Sequence, residues 1–422
     1  MTSMLSIGLM SGTSMDGIDV ALLDTDGERS IKGLGHTSLT YTPAFKILLK
    51  AAEYAIRKHR GNIETAKENY SATLEEYLTQ KLQHPLAKQK VLELTDYLQG
   101  DLSLDAVIKH STDLHAVVVK KLLEELNYQT SQIALVGYHG QTLFHSPATQ
   151  ISIIVGDGQC LADRLQIPVV NDFRSNDIIA GGEGAPLAPI YHQALAVRDG
   201  KIPSLVINCG GIANITLIPN SEVLDLIAFD TGPGNGLIDN LVRLRTQGQE
   251  NMDRDGNYAK QGKVIPTILT QLYEKAVIKN GKNYFDLLPP KSLDIGDLFL
   301  IPELDDLSLP DACATLAAFT ADSIVMSLSA LKINLPKHLI LAGGGWNNPM
   351  ILYELQARVI CNWGETEIIL ADKIGWNSQA LEAEIFAYLA VRSLKNKVLS
   401  VPGTTGVSQA LSGGRIYNPI YF

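Results

Sequence analysis

The sequence Leu5-Ser-Ile-Gly-Leu-Met-Ser-Gly-Thr-Ser-Met-Asp-Gly-Ile-Asp-Val-Ala-Leu-Leu-Asp24 contains two apolar strands joined by a turn of glycine and hydroxyl residues. The same arrangement returns about half a chain later, in Leu205-Val-Ile-Asn-Cys-Gly-Gly-Ile-Ala-Asn-Ile-Thr-Leu-Ile218. Such turns direct backbone N–H groups and hydroxyls at one small volume, where they can hold a phosphate. Two copies predict a duplicated fold with a nucleotide-binding cleft between its halves.

The length and charge of the chain limit the expected number of domains and the kinds of binding partner. A chain of 422 residues exceeds what one hydrophobic core usually supports, so we expect two domains, 1–200 and 201–422, divided after the polar segment Arg198–Lys201. Hydrophobic residues make up 45% of the chain, which is typical of a globular protein. The net charge of −10 argues against nucleic acid or an anionic membrane as a partner.

The compartment is predicted from signals that the sequence lacks. No basic and apolar leader precedes the first strand, and no run of 18 apolar residues suggests a membrane span. The four cysteines are far apart and have no metal-ligand spacing, so we expect free thiols. These observations predict a cytoplasmic protein.

The order of predicted elements indicates mixed α/β layers. In the first half, three strands precede long helical patterns from Pro43 to about Asn127, and three further strands follow. The segment of about residues 52–100 is rich in Glu, Lys and Gln, and this composition predicts an insertion of amphipathic surface helices. The second half repeats this alternation of strands and helices, beginning with its own hairpin. We therefore predict a ribonuclease-H-like α/β domain present twice.

The two glycine-rich turns are the first candidate sites. In Ser11-Gly-Thr-Ser-Met-Asp-Gly-Ile-Asp19, three hydroxyls can donate to phosphate, and Asp16 or Asp19 can help to organise a divalent cation. A purely structural Asp-Gly hairpin is the alternative, but it does not need three hydroxyls in four residues. For Gly210-Gly-Ile-Ala-Asn214 the alternative is a glycine bulge in a strand, and the pairing with the first turn favours phosphate binding.

Two further segments follow predicted strands of the second half. Asp230-Thr-Gly-Pro-Gly-Asn235 places a carboxylate at a strand end, so Asp230 is the best candidate for a general base; it could equally cap the following turn or helix. Gly343-Gly-Gly345 would let a flat ring such as adenine approach the backbone closely, or it simply marks the change from strand to helix.

The first half offers two polar candidates. His139 follows a strand and precedes a glycine, so it could line the cleft, although a lone histidine is more often a packed or surface residue. In Asp172-Phe-Arg-Ser-Asn-Asp177, an arginine lies between carboxylates, which suits a hydroxyl-rich or anionic ligand or an internal ion-pair network. The sequence has no Walker A, GxSxG or HExxH motif.

Taken together, the motifs resemble those of the anhydro-N-acetylmuramic acid kinases and the related levoglucosan kinases. The matching segments occur in order along the chain: Met10–Asp19, His139–Thr142, Asp172–Arg174, Gly181-Gly-Glu-Gly-Ala-Pro186, Gly210–Asn214, Asp230–Asn235, Pro289-Pro-Lys-Ser292 and Gly343–Gly345. The resemblance implies the actin/hexokinase/Hsp70-like fold, a bound Mg²⁺ and ATP, and a homodimer. It also implies a reaction in which water opens the 1,6-anhydro bridge of the sugar and ATP phosphorylates the freed O6.

The resemblance also implies a role for each candidate residue. Asp230 would deprotonate the attacking water, and the sugar would contact His139, Arg174, Asp177 and Glu382. The adenosine would lie against Gly343, Gly344 and Gly345. The ATP phosphates would be held by two sets of residues, which are Gly12, Thr13, Ser14, Met15, Asp16, Gly17, Ile18 and Asp19 in the first half and Gly210, Gly211 and Asn214 in the second.

Two departures from the family pattern concern the sugar. Leu293-Asp-Ile-Gly296 stands where the family usually has Thr-Gly-x-Glu, and Glu183 replaces the usual Gln. The phosphate motifs are unaffected, so a kinase of another anhydrosugar such as levoglucosan, or of an ordinary sugar hydroxyl, remains an alternative. A nucleotide-dependent switch of the actin or chaperone type is a third possibility.

Overall fold

Each of two β-sheets begins with a meander of three antiparallel strands, and the quoted hairpins form the first two strands of each meander. The computed structural model describes residues 2–12, 14–146, 149, 151–278, 281–293, 297–331, 336–364 and 366–420. The strands in these ranges are β1 (Met4–Ser11), β2 (Gly17–Thr25), β3 (Ile31–Thr40), β4 (Leu135–Ser146), β5 (Ile151–Val155), β6 (Val169–Asn171), β7 (Ser204–Cys209), β8 (Ile212–Ile218), β9 (Ile227–Pro233), β10 (His338–Ala342), β11 (Glu367–Leu370) and β12 (Arg415–Tyr417).

Helices connect and cover the strands. Several helices begin at a side-chain cap; for example, the Thr42 hydroxyl accepts the N–H of Phe45, and Ser103 and Ser308 cap later helices in the same way. The α-helices are α1 (Pro43–Lys58), α2 (Ile63–Glu68), α3 (Tyr70–Glu76), α4 (Ala87–Tyr97), α5 (Leu104–Leu126), α6 (Gly158–Leu165), α7 (Ser175–Ile179), α8 (Pro189–Arg198), α9 (Gly236–Arg245), α10 (Pro266–Glu274), α11 (Leu309–Ala330), α12 (Pro349–Trp363), α13 (Leu381–Leu394) and α14 (Pro402–Thr405).

The two sheets share one topology. The first has the order β12-β6-β4-β1-β2-β3, with β5 added to β4, and the second has the order β11-β10-β7-β8-β9. In each sheet the first strand of the meander pairs in parallel with the first strand after the long helical excursion, β1 with β4 and β7 with β10. A three-stranded meander followed by parallel strands beside its first strand is the ribonuclease-H-like arrangement. The predicted duplicated α/β fold is therefore confirmed.

The chain divides into two compact units that differ from the predicted domains at the C-terminal end. Unit 1 contains Met1–Ala194, Ala380–Ser400 and Val407–Phe422, and unit 2 contains Leu195–Gln379 and Val401–Gly406. The first boundary lies near the predicted one. Helix α13 and strand β12, however, belong to unit 1, because α13 packs on its sheet and β12 pairs with β6.

A pair of glycines explains how α13 packs on the first sheet. Gly8 and Gly137 are direct neighbours in the parallel pair β1 and β4. A Cβ atom at Gly8 would lie 1.9 Å from the Ala383 carbonyl oxygen, and one at Gly137 would lie 2.0 Å from that of Phe386. The absence of side chains at both positions therefore lets the helix backbone rest directly on the strands.

The helical segment before β4 contributes to the core of unit 1. Tyr70, Leu74 and Leu94 are fully buried there, and the Tyr70 hydroxyl donates to the Leu48 carbonyl. The segment predicted as surface helices therefore also has an apolar side in the core. In unit 2, α11 is the one helix in the described ranges that is long and apolar enough to cross a membrane, and 83% of its most apolar window is buried inside the protein. Such burial is that of a core helix.

Candidate active site

The turn between β1 and β2 is open on the side of its first glycine. Around Gly12, the nearest atom to an added Cβ is the Ser14 hydroxyl oxygen at 3.8 Å. The Gln141 side-chain amide holds the turn by donating to the Gly12 carbonyl at 2.7 Å, and the Ser14 hydroxyl donates to Asp16 Oδ1 at 2.7 Å. Met15 has a positive φ of 55°. This geometry leaves room for a ligand beside the turn.

Not every residue of the predicted phosphate turn can present a side chain to a ligand. Met15 and Ile18 are 2% and 1% exposed, so their side chains belong to the core and only their backbone can contact a phosphate. Gly17 pairs with Thr40 as the first residue of β2. Ser14, Asp16 and Asp19 are exposed. Thr13 lies outside the described residues.

The carboxylates of Asp16, Asp19 and Glu382 interact electrostatically near the turn between β1 and β2. Desolvation and the nearby Asp16 raise the pKa of Asp19, with His36 opposing the shift. Desolvation and the charges of Asp19 and Asp16 also raise the pKa of Glu382, on α13. A cation would relieve this repulsion, which fits the predicted Mg²⁺. No cluster of three His, Cys, Asp or Glu ligands occurs in the described ranges, so one or two carboxylates with phosphate and water would be the donor set.

The predicted sugar-binding residues His139, Arg174 and Asp177 come together in unit 1. Arg174 donates from Nη1 to the Gly184 carbonyl at 2.7 Å and from Nη2 to His139 Nε2 at 3.0 Å. The Asp177 carboxylate accepts the N–H of Gly184 at 2.7 Å, so it fixes the same loop. Arg174 and Asp177 thus both bind the backbone of Gly184, within the Gly-Gly-Glu-Gly-Ala-Pro segment.

His139 is a neutral partner of Arg174. Its Nδ1–H donates to the Gly140 carbonyl at 2.8 Å, and its Nε2 accepts from Arg174. Burial and the Arg174 charge hold the pKa of His139 well below its usual value. The ring therefore orients the guanidinium rather than exchanging protons. Within the described residues, Arg174 uses three of its five N–H groups, and the others can bind oxygen atoms of a ligand.

In unit 2, the turn between β7 and β8 consists of backbone only. Gly210 and Gly211 have their carbonyls tied to the following turn, because Asn235 N–H donates to Gly210 O at 2.8 Å and Gly234 N–H donates to Gly211 O at 3.0 Å. A Cβ at Gly234 would lie 1.9 Å from Gly210 O. Among the described residues beyond its two chain neighbours, none has an atom within 4 Å of a Cβ added to Gly211. The turn is therefore held rigidly from one side and open on the other.

Three polar residues form a row across β7, β8 and β9. Asn208 is the register partner of Asn214, and Asn214 is the partner of Asp230. Directly opposed residues of antiparallel strands share one face, so the three side chains lie side by side. The predicted strand end was wrong: β9 continues to Pro233, because β8 goes on pairing with it beyond a register shift at Ala213, and Asp230 lies inside the strand.

Asp230 is held by residues 284–293. Its N–H donates to the Lys291 carbonyl at 3.0 Å, and its carboxylate accepts the Leu293 N–H at 2.8 Å. The Tyr284 hydroxyl donates to the Asp230 carbonyl. Leu293 contributes a backbone N–H to this contact, so its side-chain departure from the family pattern leaves the bond in place. Residues 294–296 of that motif lie outside the described residues.

The predicted adenosine site lies beside the same turn of unit 2. Gly343 has φ of 93°, and a Cβ there would lie 2.5 Å from the Cys209 carbonyl oxygen. Gly345 packs equally closely on the Cys209 side chain, whereas the space around Gly344 is open. Gly343 and Gly345 therefore bring the turn after β10 against the end of β7, and Gly344 leaves its backbone open to a flat ring.

The structure adds residues that sequence reasoning missed. Asn208 is a polar residue in an otherwise apolar strand, and Lys291 is part of a quoted motif, so both had a signal in the sequence. Asp239 accepts a hydrogen bond from the Asn235 side chain at 2.7 Å. Burial raises the pKa of Asp239 to about 6, with Asp253 adding to the shift and Arg243 opposing it. Nothing in the spacing of the sequence marked Asp239.

A duplicated ribonuclease-H-like frame with a glycine-rich hairpin in each unit is the architecture of the actin/hexokinase/Hsp70 class. The sequence model of the family described as anhydro-N-acetylmuramic acid kinase matches residues 64–419. An anhydro-N-acetylmuramic acid kinase of Rhizorhabdus wittichii is 39% identical over 99% of this chain and 100% of its own length, and one of Nitrobacter winogradskyi is 37% identical with the same coverage. The chain belongs to the anhydro-N-acetylmuramic acid kinase family.

Solved structures show a more distant similarity. Component A of the (R)-2-hydroxyglutaryl-CoA dehydratase of Acidaminococcus fermentans aligns with a TM-score of 0.43 and 11% identity, over 92% of this chain and 99% of that chain.

Proposed function

We propose that this protein is an ATP-dependent kinase of 1,6-anhydro-N-acetylmuramic acid, which opens the anhydro ring with water, phosphorylates O6 and releases ADP. Family membership supports the substrate and the kinase activity. The observation that carries the chemistry is Asp230, whose carboxylate accepts the Leu293 N–H, whose backbone is fixed by two further hydrogen bonds, and which lies in a row with Asn214 and Asn208.

The proposed chemistry requires a base for the water that attacks the anomeric carbon. Asp230 would accept that proton, because a positioned carboxylate is an effective general base. The hydrogen bond from the Leu293 N–H keeps the Asp230 carboxylate oriented before substrate binds, which lowers the entropic cost of reaching the reactive geometry. Its neighbours Asn214 and Asn208 can donate amide N–H groups to oxygen atoms on the same face.

The phosphate chemistry would use both glycine-rich turns. In unit 1, Ser14 and the backbone around Gly12 would donate to ATP phosphate oxygens, and Asp16 and Asp19 would hold Mg²⁺. In unit 2, the backbone at Gly210 and Gly211 would contact phosphate, and Gly344 would contact the adenosine. A bound Mg²⁺ neutralises charge on the phosphate oxygens during transfer.

The sugar would be held in unit 1 by groups that are already ordered. Arg174 has N–H groups available for hydroxyl or carboxylate oxygens, and His139 fixes its orientation. Asp177 would act on the sugar through the loop that it holds, since its described hydrogen bond goes to Gly184. Glu382, in the first turn of α13, would accept from a sugar hydroxyl.

The decisive experiment is an ADP-release assay with Mg²⁺ and ATP against 1,6-anhydro-N-acetylmuramic acid, levoglucosan and glucose in parallel, with the product masses recorded. Addition of phosphate plus one water to the first sugar is the expected result. The same result with levoglucosan alone would keep the reaction and change the substrate, and phosphate transfer to glucose without ring opening would favour an ordinary sugar kinase. ATP turnover independent of all three sugars would favour the switch.

Two properties accompany this proposal. We propose a cytoplasmic location, which cell fractionation tests, and a homodimer, which light scattering coupled to size-exclusion chromatography tests. A monomer at micromolar concentration would overturn the second.

A further inference from the structure

Lys291 has its charged group buried in unit 2, and its backbone carbonyl binds the N–H of the candidate base Asp230. The residue is 8% exposed, and its ammonium donates to the Tyr284 carbonyl at 3.1 Å. The same ammonium lies 4.3 Å from the centre of the Tyr284 ring. Lysine side chains normally extend until the ammonium reaches water. A lysine kept inside therefore indicates local groups that favour its charge.

The groups around Lys291 explain why the charge is retained. Burial lowers the pKa of Lys291 to about 8, and the carboxylates of Asp230 and Asp286 oppose that shift. The Tyr284 ring face adds a cation–π attraction. At neutral pH the ammonium form therefore predominates. Because electrostatic interactions are mutual, the same charge must favour the ionised form of Asp230.

Lys291 is also part of the segment that orients Asp230. Its carbonyl accepts the Asp230 N–H, and the N–H of Leu293, two residues later, reaches the carboxylate. Tyr284 connects the two functions, since its carbonyl binds the ammonium and its hydroxyl binds the Asp230 carbonyl. Of the acceptors in the described ranges, the ammonium uses this carbonyl alone.

We propose that Lys291 is a positioning residue for the reaction: its buried ammonium keeps the Asp230 carboxylate ionised, so that this base is ready to accept a proton. The role rests on the proposed function for its catalytic meaning. The electrostatic coupling itself is a property of the protein without ligand, and it can be measured separately.

The first test is an NMR titration of the Asp230 carboxyl in ligand-free protein labelled with ¹³C-aspartate, assigned through D230N. Lys291→Met should raise the pKa of Asp230 by about one unit, because loss of a nearby opposite charge raises the pKa of a carboxyl by about that much. Lys291→Arg should restore the wild-type titration, and Lys373→Met, at an exposed lysine of unit 2, should leave it unchanged. An equal pKa of Asp230 in wild type and K291M would overturn the proposal, whether or not the protein is active.

The second test is kinetic. The acidic limb of the kcat profile against pH should move upward by about one unit in K291M and stay in place in K291R. A loss of activity in K291M that is equal at every pH would show a merely structural role and contradict the proposal. If wild-type protein phosphorylates none of the sugars, the proposed function fails, while the titration still decides whether Lys291 acts on Asp230. Melting temperatures of the variants identify any that do not fold.

Discussion

The turn between β1 and β2 and the turn between β7 and β8 occupy equivalent places in two sheets of the same topology, yet they differ in chemistry. The first presents side chains, with the Ser14 hydroxyl bonded to Asp16. The second presents only backbone, and the turn after β9 holds its Gly210 and Gly211 carbonyls. The two units therefore share a strand topology, but the polar groups at their equivalent turns differ.

The charges near the two turns differ in the same way. In unit 1, Asp16, Asp19 and Glu382 repel one another, which suits a cation that arrives with ATP. In unit 2, Asp230 has a buried ammonium nearby and a fixed orientation. Repulsion before binding is the property of a site completed by its ligand, and compensation before binding is that of a preorganised base.

The largest effect should come from the base in unit 2. Asp230→Asn removes the proton acceptor and keeps the shape of the side chain, so we expect kcat to fall at least about a hundredfold. The ADP-release assay measures this change, and Asp225→Asn, at a carboxylate of unit 2 bonded to Asn220, should remain close to wild type. A loss of less than about tenfold in D230N would assign the base role to another group.

The rigidity of the second turn can be tested by adding one methyl group. Gly234→Ala places a Cβ against the Gly210 carbonyl, so we expect the free energy of unfolding to fall by about 1–3 kcal/mol. Gly344→Ala is the matched control, because the described residues beyond its chain neighbours leave 4 Å free around the added Cβ. It should retain stability and weaken ATP binding. Urea unfolding compares the two, and equal stabilities would show that the turn is not held as described.

The sugar contacts of unit 1 should respond less strongly. Arg174→Lys removes the fork that spans His139 and Gly184, so we expect KM for the sugar to rise about tenfold with a smaller change in kcat. Since His139 is neutral in the folded protein, the ratio of the KM of R174K to the KM of the wild-type enzyme should be constant from pH 6 to pH 8. Arg198→Lys, at an arginine paired with Asp199, serves as the control. A ratio that changes through pH 6.5 would mean that His139 titrates.

The smallest effect should be on stability, at Asp239. Its pKa of about 6 in the folded protein exceeds the unfolded value, so ionisation of Asp239 lowers the free energy of unfolding as pH rises from about 4 through 6. Asp239→Asn should therefore match wild type at pH 4 and be more stable by about 1 kcal/mol at pH 7.5, after allowance for solvent screening. Urea unfolding at both pH values measures this; equal stability at pH 7.5 would contradict it.

The sequence was sufficient for features that depend on local chemistry. Glycine turns between apolar strands predict hairpins wherever they occur, so β1–β2 and β7–β8 followed from the residues alone. The order of strands and helices then led to the duplicated fold. His139, Arg174 and Asp177 were quoted in separate motifs, and the structure places them in one hydrogen-bonded group.

Features that depend on distant pairing could not be predicted in this way. Strand β12 is three residues long and forms only because β6 offers an edge, and α13 joins unit 1 because Gly8 and Gly137 accept it. Asp239 acquires its pKa from burial, to which Asp253, 14 positions away, adds. None of these causes is visible in a window of neighbouring residues.

The close packing of α13 on Gly8 and Gly137 has a consequence for synthesis of the protein. Strand β1 is synthesised before unit 2, but the helix that covers it begins at Leu381 and is made after almost all of unit 2. The part of the unit 1 sheet that α13 covers therefore stays exposed while the intervening residues 195–379 are translated and can already pack. In a nascent chain, unit 1 is therefore completed only after most of unit 2 has been synthesised.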